Sequence, residues 1–299
     1  MLSKLYFKIV NRKFKLEANI PKILRIETTN LCNSKCTFCM HSKMKREKGF
    51  MNDELFNKIL KESIEYGIDE VHLQNFGEPL MDKTIFNKIK SAKEIGIKKV
   101  ILFTNGSLLN EESCEKLIKS GLDELFISFE GYSPEEYNKT RIGLDFDTTS
   151  NNIKNLYKIR KQQNSLSPKI IINTVYDKTK KKYKNNFYNK WINFCDDIRF
   201  QTLHNWCNKK SIEVKNKFCQ IPWSYMTILW NGDVVFCCLD YEGENIMGNI
   251  KENTIREIWN GVRYKSIRKI LLENKLNNIS LCARCSLVHQ KKWNLDQLK

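Results

Sequence analysis

The chain has 299 residues, 51 Lys and Arg against 34 Asp and Glu, and a formal net charge of +17. Its hydrophobic content of 41% supports a sizeable core. No apolar run reaches the roughly 18 residues of a membrane helix, and the lysine-broken N-terminus MLSKLYFKIVNRKFKLEANIP has no apolar signal core, so a cytoplasmic protein is expected.

Lysines are spread along the whole sequence, mostly on polar helix faces, so the charge reads as compositional bias and nucleic acid is not an expected partner. An acidic partner, such as a small electron carrier, stays open. Eleven cysteines without a secretion signal argue for metal ligands or catalysts over disulfides.

In chain order, Ile23 to Thr29 reads as a strand, followed by a helix capped at Asp53 with Leu55, Phe56, Ile59, Leu60 and Ile64 on one face. Strands at Val71 to Phe76, Val100 to Phe103, Leu125 to Phe129, Ile170 to Val175 and Ile198 to Leu203 alternate with further amphipathic helices. Such alternation predicts an α/β fold with a parallel sheet, open or curled into a partial barrel, whose chemistry lies at the carboxyl ends of the strands. The expected organisation is an N-terminal extension (1–22), a partial (β/α)6 TIM-like barrel (23–203), a linker (204–218) and a small hairpin-plus-helix unit (219–299). In that last unit, Tyr225 to Trp230 and Val234 to Cys238 flank the turn Asn231-Gly232-Asp233, and one helix runs from about Thr254 to Leu272.

The first strand runs into Cys32-Asn-Ser-Lys-Cys36-Thr-Phe-Cys39. Three thiolates can hold three irons of a 4Fe–4S cluster and leave the fourth open. Zinc held by Cys32, Cys36, Cys39 and His41 is the alternative. Strand two ends in Phe76-Gly77-Glu78-Pro79, where Pro79 stiffens a turn, Gly77 lets backbone approach a ligand and Glu78 could accept from an ammonium group.

Together these motifs resemble the radical S-adenosylmethionine (SAM) superfamily. The resemblance implies that Cys32, Cys36 and Cys39 ligate a catalytic 4Fe–4S cluster whose open iron chelates SAM. It implies SAM contacts from Gly77, Glu78 and Pro79, and from Phe38 near the adenine. Phe76 stands where the family usually has a Gly. Asn105 in Thr104-Asn105-Gly106, Ser128 and Glu130 at the end of strand four, and Arg141, matched to a carboxylate-pairing Arg, complete the implied cofactor contacts.

A second group comprises Cys219, Cys237, Cys238, Cys282 and Cys285. A zinc ribbon would use paired thiolates of this kind. Gly232-x4-Cys237, Gly248-Asn249-Ile250, Ile258-Trp259 and the closing Cys282-Ala-Arg-Cys285 resemble the SPASM/twitch extension of radical SAM enzymes, in the short form of the 2-deoxy-scyllo-inosamine dehydrogenase type. That implies a second 4Fe–4S cluster on Cys219, Cys237, Cys282 and Cys285, acting in electron transfer. Cys238 could substitute, although strand alternation turns it to the other face.

The resemblance implies a radical SAM oxidoreductase that takes a hydrogen atom from a small substrate, a sugar or aminocyclitol alcohol, with a flavodoxin- or ferredoxin-type reductant. Peptide modification is the alternative, although the roughly 22 residues before strand one leave no room for a leader-binding domain; a zinc-bearing nucleic-acid module is the other. Arg199, Gln201, His204 and Tyr176, near late strand ends, are candidates for the base that such an oxidation needs.

Overall fold

A computed structural model describes residues 10, 12–130, 132–175, 181–201 and 218–285. Strands and helices alternate from β1 (Ile23–Ile26) through α1 (Asp53–Glu65), β2 (Glu70–Leu73), α2 (Ile85–Glu94), β3 (Lys99–Thr104), α3 (Glu111–Lys119) and β4 (Glu124–Ser128). The short α4 (Pro134–Thr140) and the longer α5 (Phe146–Gln162) lead to β5 (Lys169–Val175), α6 (Lys181–Trp191) and β6 (Asp197–Gln201). The residues beyond Gln201 that sequence patterning assigns to the sixth strand lie outside the described residues, as do Tyr176, His204 and most of the linker.

The six strands pair in parallel in chain order, as the α/β pattern predicts. Leu24, Ile26, Val71, Leu73, Val100, Leu102, Leu125 and Ile127 leave one face of the sheet and have no exposed surface. They form the main core with helix residues such as Leu55, Phe56 and Ile59. The opposite, inner face carries a smaller apolar group of Ile101, Phe126 and Ile171, with Phe103 packed against it. Burial on both faces is what makes these parallel strands continuous in Val, Ile, Leu and Phe.

Helix starts follow local chemistry. The α1 cap is Asn52, whose side chain accepts from the Leu55 N–H at 2.8 Å, so Asp53 is the first helical residue and not the cap. Asn110 caps α3 and Asp145 caps α5 in the same way.

The C-terminal unit does not form a sheet of its own. β7 (Tyr225–Ile228) pairs in parallel with β1, and β8 (Asp233–Val235) and β9 (Ile246–Asn249) follow antiparallel. The result is one nine-stranded sheet in the order β6-β5-β4-β3-β2-β1-β7-β8-β9. The expected single helix is two, α7 (Ile255–Trp259) and α8 (Val262–Leu272), with α9 (Ser280–Ala283) beyond. The break falls at Asn260-Gly261, where Gly261 is extended at ψ 165° and becomes the cap residue of α8.

The Asn231-Gly232-Asp233 turn depends on its glycine. Gly232 has φ +93°, and a Cβ there would lie 2.8 Å from Asn249 Oδ1. Gly232→Ala is expected to lower stability by about 1–2 kcal/mol or more, from the left-handed backbone plus that contact. Denaturant unfolding under anaerobic conditions checks this; an unchanged midpoint would show that the turn carries no strain for a side chain.

Candidate functional site

The loop after β1 presents Cys32, Cys36 and Cys39 at the carboxyl end of the sheet. Ser34 Oγ stands 3.3 Å from the Sγ of both Cys32 and Cys36. The His41 N–H donates to Cys39 Sγ at 3.4 Å. Lys35 N donates to Ile142 O at 2.8 Å and Thr37 N to Thr140 O at 2.9 Å, so the loop rests on the end of α4. Burial raises the Cys32 thiol and pushes Cys39 up to about 11. His41 turns its Nε2 to the Asn30 carbonyl oxygen at 2.8 Å.

The Gly77-Glu78-Pro79 turn lies against this loop. Gly77 has φ +96°, and a Cβ there would sit 2.6 Å from Thr29 O and 2.8 Å from Leu31 O. Glu78, 1% exposed, accepts from Thr104 Oγ1 at 2.7 Å, Asn105 N at 2.6 Å and Leu80 N at 3.1 Å. Burial raises its pKa against these hydrogen bonds. A carboxylate offers about four acceptor positions, so most of Glu78 already ties the end of β2 to the end of β3. Pro79 opens a short 3-10 turn. Asn105 donates from Nδ2 to Asn33 Oδ1 at 2.9 Å, linking the end of β3 to the cysteine loop.

Ser128 is half-buried at the end of β4. Glu130 and Arg141 form a buried bidentate pair, with Arg141 Nη2 donating to Glu130 Oε1 at 2.9 Å and Arg141 Nε donating to Oε2. Arg141 Nη1 lies 3.8 Å from Cys36 Sγ, and its guanidinium stands 5.3 Å from the centre of the Phe38 ring. The fork that the resemblance assigns to a ligand carboxylate is thus held by Glu130.

Cys219, Cys237, Cys282 and Cys285 line one pocket with Ile221, Pro222, Phe236, Leu239, Leu271 and Leu281. Burial raises Cys282 well above the ordinary thiol range. Cys238 is outside that lining. It is hydrogen-bonded to Cys237 and to Arg25 of β1, and these contacts lower its pKa.

Among the described residues, no three His, Cys, Asp or Glu side chains converge where a single ion would sit. The donor chemistry fits clusters: sulfur donors alone in an otherwise apolar pocket, and three more on a loop against which a glycine backbone closes. Cys114 and Cys195 are buried elsewhere in the core.

Sequence reasoning missed the residue that joins these parts. Glu27, with no exposed surface, accepts from Arg46 Nη1 at 2.9 Å and Nη2 at 2.6 Å. It also accepts from the backbone N–H of Phe76 and of Trp230, each at 3.3 Å. Arg46 Nε donates to Tyr241 O at 2.7 Å, and Glu242 accepts from the N–H groups of Lys45 and Arg46. The signal was present in the alternation Leu24-Arg25-Ile26-Glu27: charges between apolar residues of a buried strand must face an interior polar space.

A partial β/α barrel with a three-cysteine loop on its first strand and a four-cysteine pocket beside its last hairpin defines an iron–sulfur protein of the barrel class. Residues 26–167 match the model of the radical SAM superfamily, and residues 219–286 match that of an iron-sulfur cluster-binding domain, SPASM. At 142 of the chain's 299 residues, the first match covers a little under half of it. The radical SAM match implies a 4Fe–4S cluster and SAM, and the SPASM match implies additional iron–sulfur clusters.

It is 33% identical over 131 residues to a probable GTP 3',8-cyclase of Methanococcus maripaludis, covering 44% of this chain and 43% of that protein. The chain thus matches less than half the length of that cyclase. It is 23% identical over 270 residues to the S-adenosyl-L-methionine-dependent 2-deoxy-scyllo-inosamine dehydrogenase of Niallia circulans, covering 89% of this chain and 93% of that enzyme. The fold is similar to BtrN in complex with AdoMet and 2-DOIA, with a TM-score of 0.63, 21% identity, and 90% and 94% of the two chains covered. It is also similar to Streptococcus suis SuiB bound to precursor peptide SuiA, with a TM-score of 0.64, 19% identity, and 87% and 70% covered.

Removing one member of a buried ion pair leaves an uncompensated charge. Glu27→Ala is expected to cost about 3–5 kcal/mol and to loosen the loop behind the cysteines. Anaerobic thermal unfolding and iron retention on desalting check this; unchanged stability would show that Glu27 is not a fastening point.

Proposed function

We propose that this protein is a radical SAM oxidoreductase that oxidises a small alcohol, a sugar or aminocyclitol, to a ketone. The observation that carries the proposal is the second pocket. Its four cysteines stand among apolar side chains only, so four thiolates would saturate a cluster there and leave no iron for substrate. Electron acceptance is the role left to such a cluster. The near full-length likeness to an inosamine dehydrogenase supports the same substrate class.

When bound, the cluster on Cys32, Cys36 and Cys39 and the SAM beside it supply the 5′-deoxyadenosyl radical that removes a hydrogen atom from substrate. The chain's own residues position and insulate. Gly77 brings backbone against the cysteine loop. Asn105 and Ser128 offer polar groups at neighbouring strand ends. The Glu130–Arg141 pair holds a fixed cation beside Cys36 and Phe38. The inner face of the sheet, with Phe103, Phe126 and Asn173, offers a small mixed surface to a substrate.

A flavodoxin- or ferredoxin-type protein in the reducing cytoplasm is the proposed reductant, and the net charge of +17 suits an acidic carrier. A peptide substrate is the second reading, favoured by the fold likeness to SuiB.

The wild type is expected to hold about eight irons after anaerobic reconstitution, and Cys32→Ala about four. Cys32→Ala should form no 5′-deoxyadenosine. Iron analysis and chromatography of SAM products measure both. Continued 5′-deoxyadenosine formation by this variant would contradict the assignment of the catalytic cluster.

A further inference from the structure

The inner face of the sheet holds a polar dyad that the cofactor chemistry does not use. Glu70 and His72 alternate on β2 and so leave the same face. The register pairs His72 with Arg25 on one side and Ile101 on the other, which sets that face inside the barrel. His72 Nε2 lies 2.6 Å from Glu70 Oε1. An ionised carboxylate only accepts, so Nε2 carries the proton of the neutral ring and Nδ1 is a bare acceptor.

His72 is 8% exposed, and its Nδ1 is buried with no hydrogen-bond partner. The Nε of Arg25, on the adjoining strand, is likewise buried with no partner. Buried polar groups are paired in the great majority of proteins, and exceptions call for a reason. Here an unmet acceptor and an unmet donor stand on paired positions of two strands. A hydroxyl placed between them would satisfy both, its proton donating to Nδ1 and its oxygen accepting from Nε. Phe103 and Tyr225 flank the site, with ring centres 6.4 and 6.2 Å from that of His72.

We propose that His72 is the proton acceptor for the alcohol being oxidised and that Arg25 holds the alcohol oxygen. The proposal rests on the alcohol-oxidising function proposed above. Loss of a hydrogen atom leaves a carbon radical bearing the hydroxyl. The O–H bond then breaks and the carbon–oxygen double bond forms. The proton goes to His72 Nδ1 and the remaining electron to the auxiliary iron–sulfur cluster. Arg25 also hydrogen-bonds Cys238, the neighbour of Cys237, so the oxygen and the acceptor's surroundings share one side chain.

The charged and titratable groups facing His72 are Glu70 on its own strand, Arg25 on β1, Lys99 on β3 and Tyr225 on β7. Burial, the largest influence, lowers the imidazole pKa; the Glu70 carboxylate opposes it, and Arg25 and Lys99 act in the same direction as burial. A lowered pKa favours the neutral ring, whose bare Nδ1 can accept a proton. Arg199 and Gln201, considered from sequence, are exposed on the edge strand β6, and the Arg199 guanidinium stacks 4.6 Å from the Phe126 ring centre.

Two measurements test this. In holoenzyme labelled with 15N-histidine, the His72 signal is assigned by its loss in His72→Gln. At pH 7 it should report a protonated Nε2 and a bare Nδ1; a protonated Nδ1 overturns the proposal. With 2-deoxy-scyllo-inosamine as probe, His72→Gln should lower the ratio of ketone to 5′-deoxyadenosine by about 100-fold. Raising the pH should restore ketone as bulk base takes the proton. An unchanged ratio in the variant overturns the proposal. A wild type whose 5′-deoxyadenosine formation ignores the probe counts against the alcohol function instead, and the nitrogen signals then decide the role of His72.

Discussion

Everything at the carboxyl end of the sheet hangs on one buried carboxylate. Glu27 directly follows β1 and accepts hydrogen bonds from three directions: the guanidinium of Arg46, the N–H of Phe76 and the N–H of Trp230. Those partners lie behind the cysteine loop, at the start of the Gly77-Glu78-Pro79 turn and at the tip of the C-terminal hairpin. A fully desolvated charge tolerates no loose partner, because any gap leaves it unpaired in a low-dielectric interior. The position of the cysteine loop relative to the hairpin is thus set by electrostatics as well as by packing.

Sheet continuity does the rest. Because β7 hydrogen-bonds to β1, the pocket of Cys219, Cys237, Cys282 and Cys285 is carried by the same sheet whose first strand delivers Cys32, Cys36 and Cys39. Arg25 sits on that shared strand. It reaches toward Cys238 on one side and is paired in register with His72 on the other. A substrate on the inner face would rest on strands of the same sheet that carries both proposed cluster sites. The one-electron chemistry proposed for one site and the electron acceptance proposed for the other would need a fixed separation.

Much of this was legible in the sequence. The β/α alternation gave the parallel order, because strands buried on both faces must be apolar throughout and helices must show one apolar stripe. The cysteine spacings and the glycine turn gave the candidate site, because such chemistry is local in sequence. What was hidden is long-range. The union of β7 with β1 joins residues about 200 apart, and no local pattern announces a partner strand. The Glu27–Arg46 pair and the Arg141 fork filled by Glu130 depend on which side chains meet across loops. The split of α7 from α8 turned on Gly261, whose weak helix propensity was outvoted by the apolar pattern around it. His72 was readable only as one residue of a short apolar strand until the register showed which face it shares with Arg25.

The central claim is that one of two clusters has an iron free to bind SAM. Electron paramagnetic resonance of reduced, anaerobically reconstituted protein, recorded with and without SAM, tests it most directly. The account predicts two cluster signals, one of which changes on adding SAM while the other does not. Two signals both indifferent to SAM, or a colourless protein holding zinc at Cys32, Cys36 and Cys39, would contradict it.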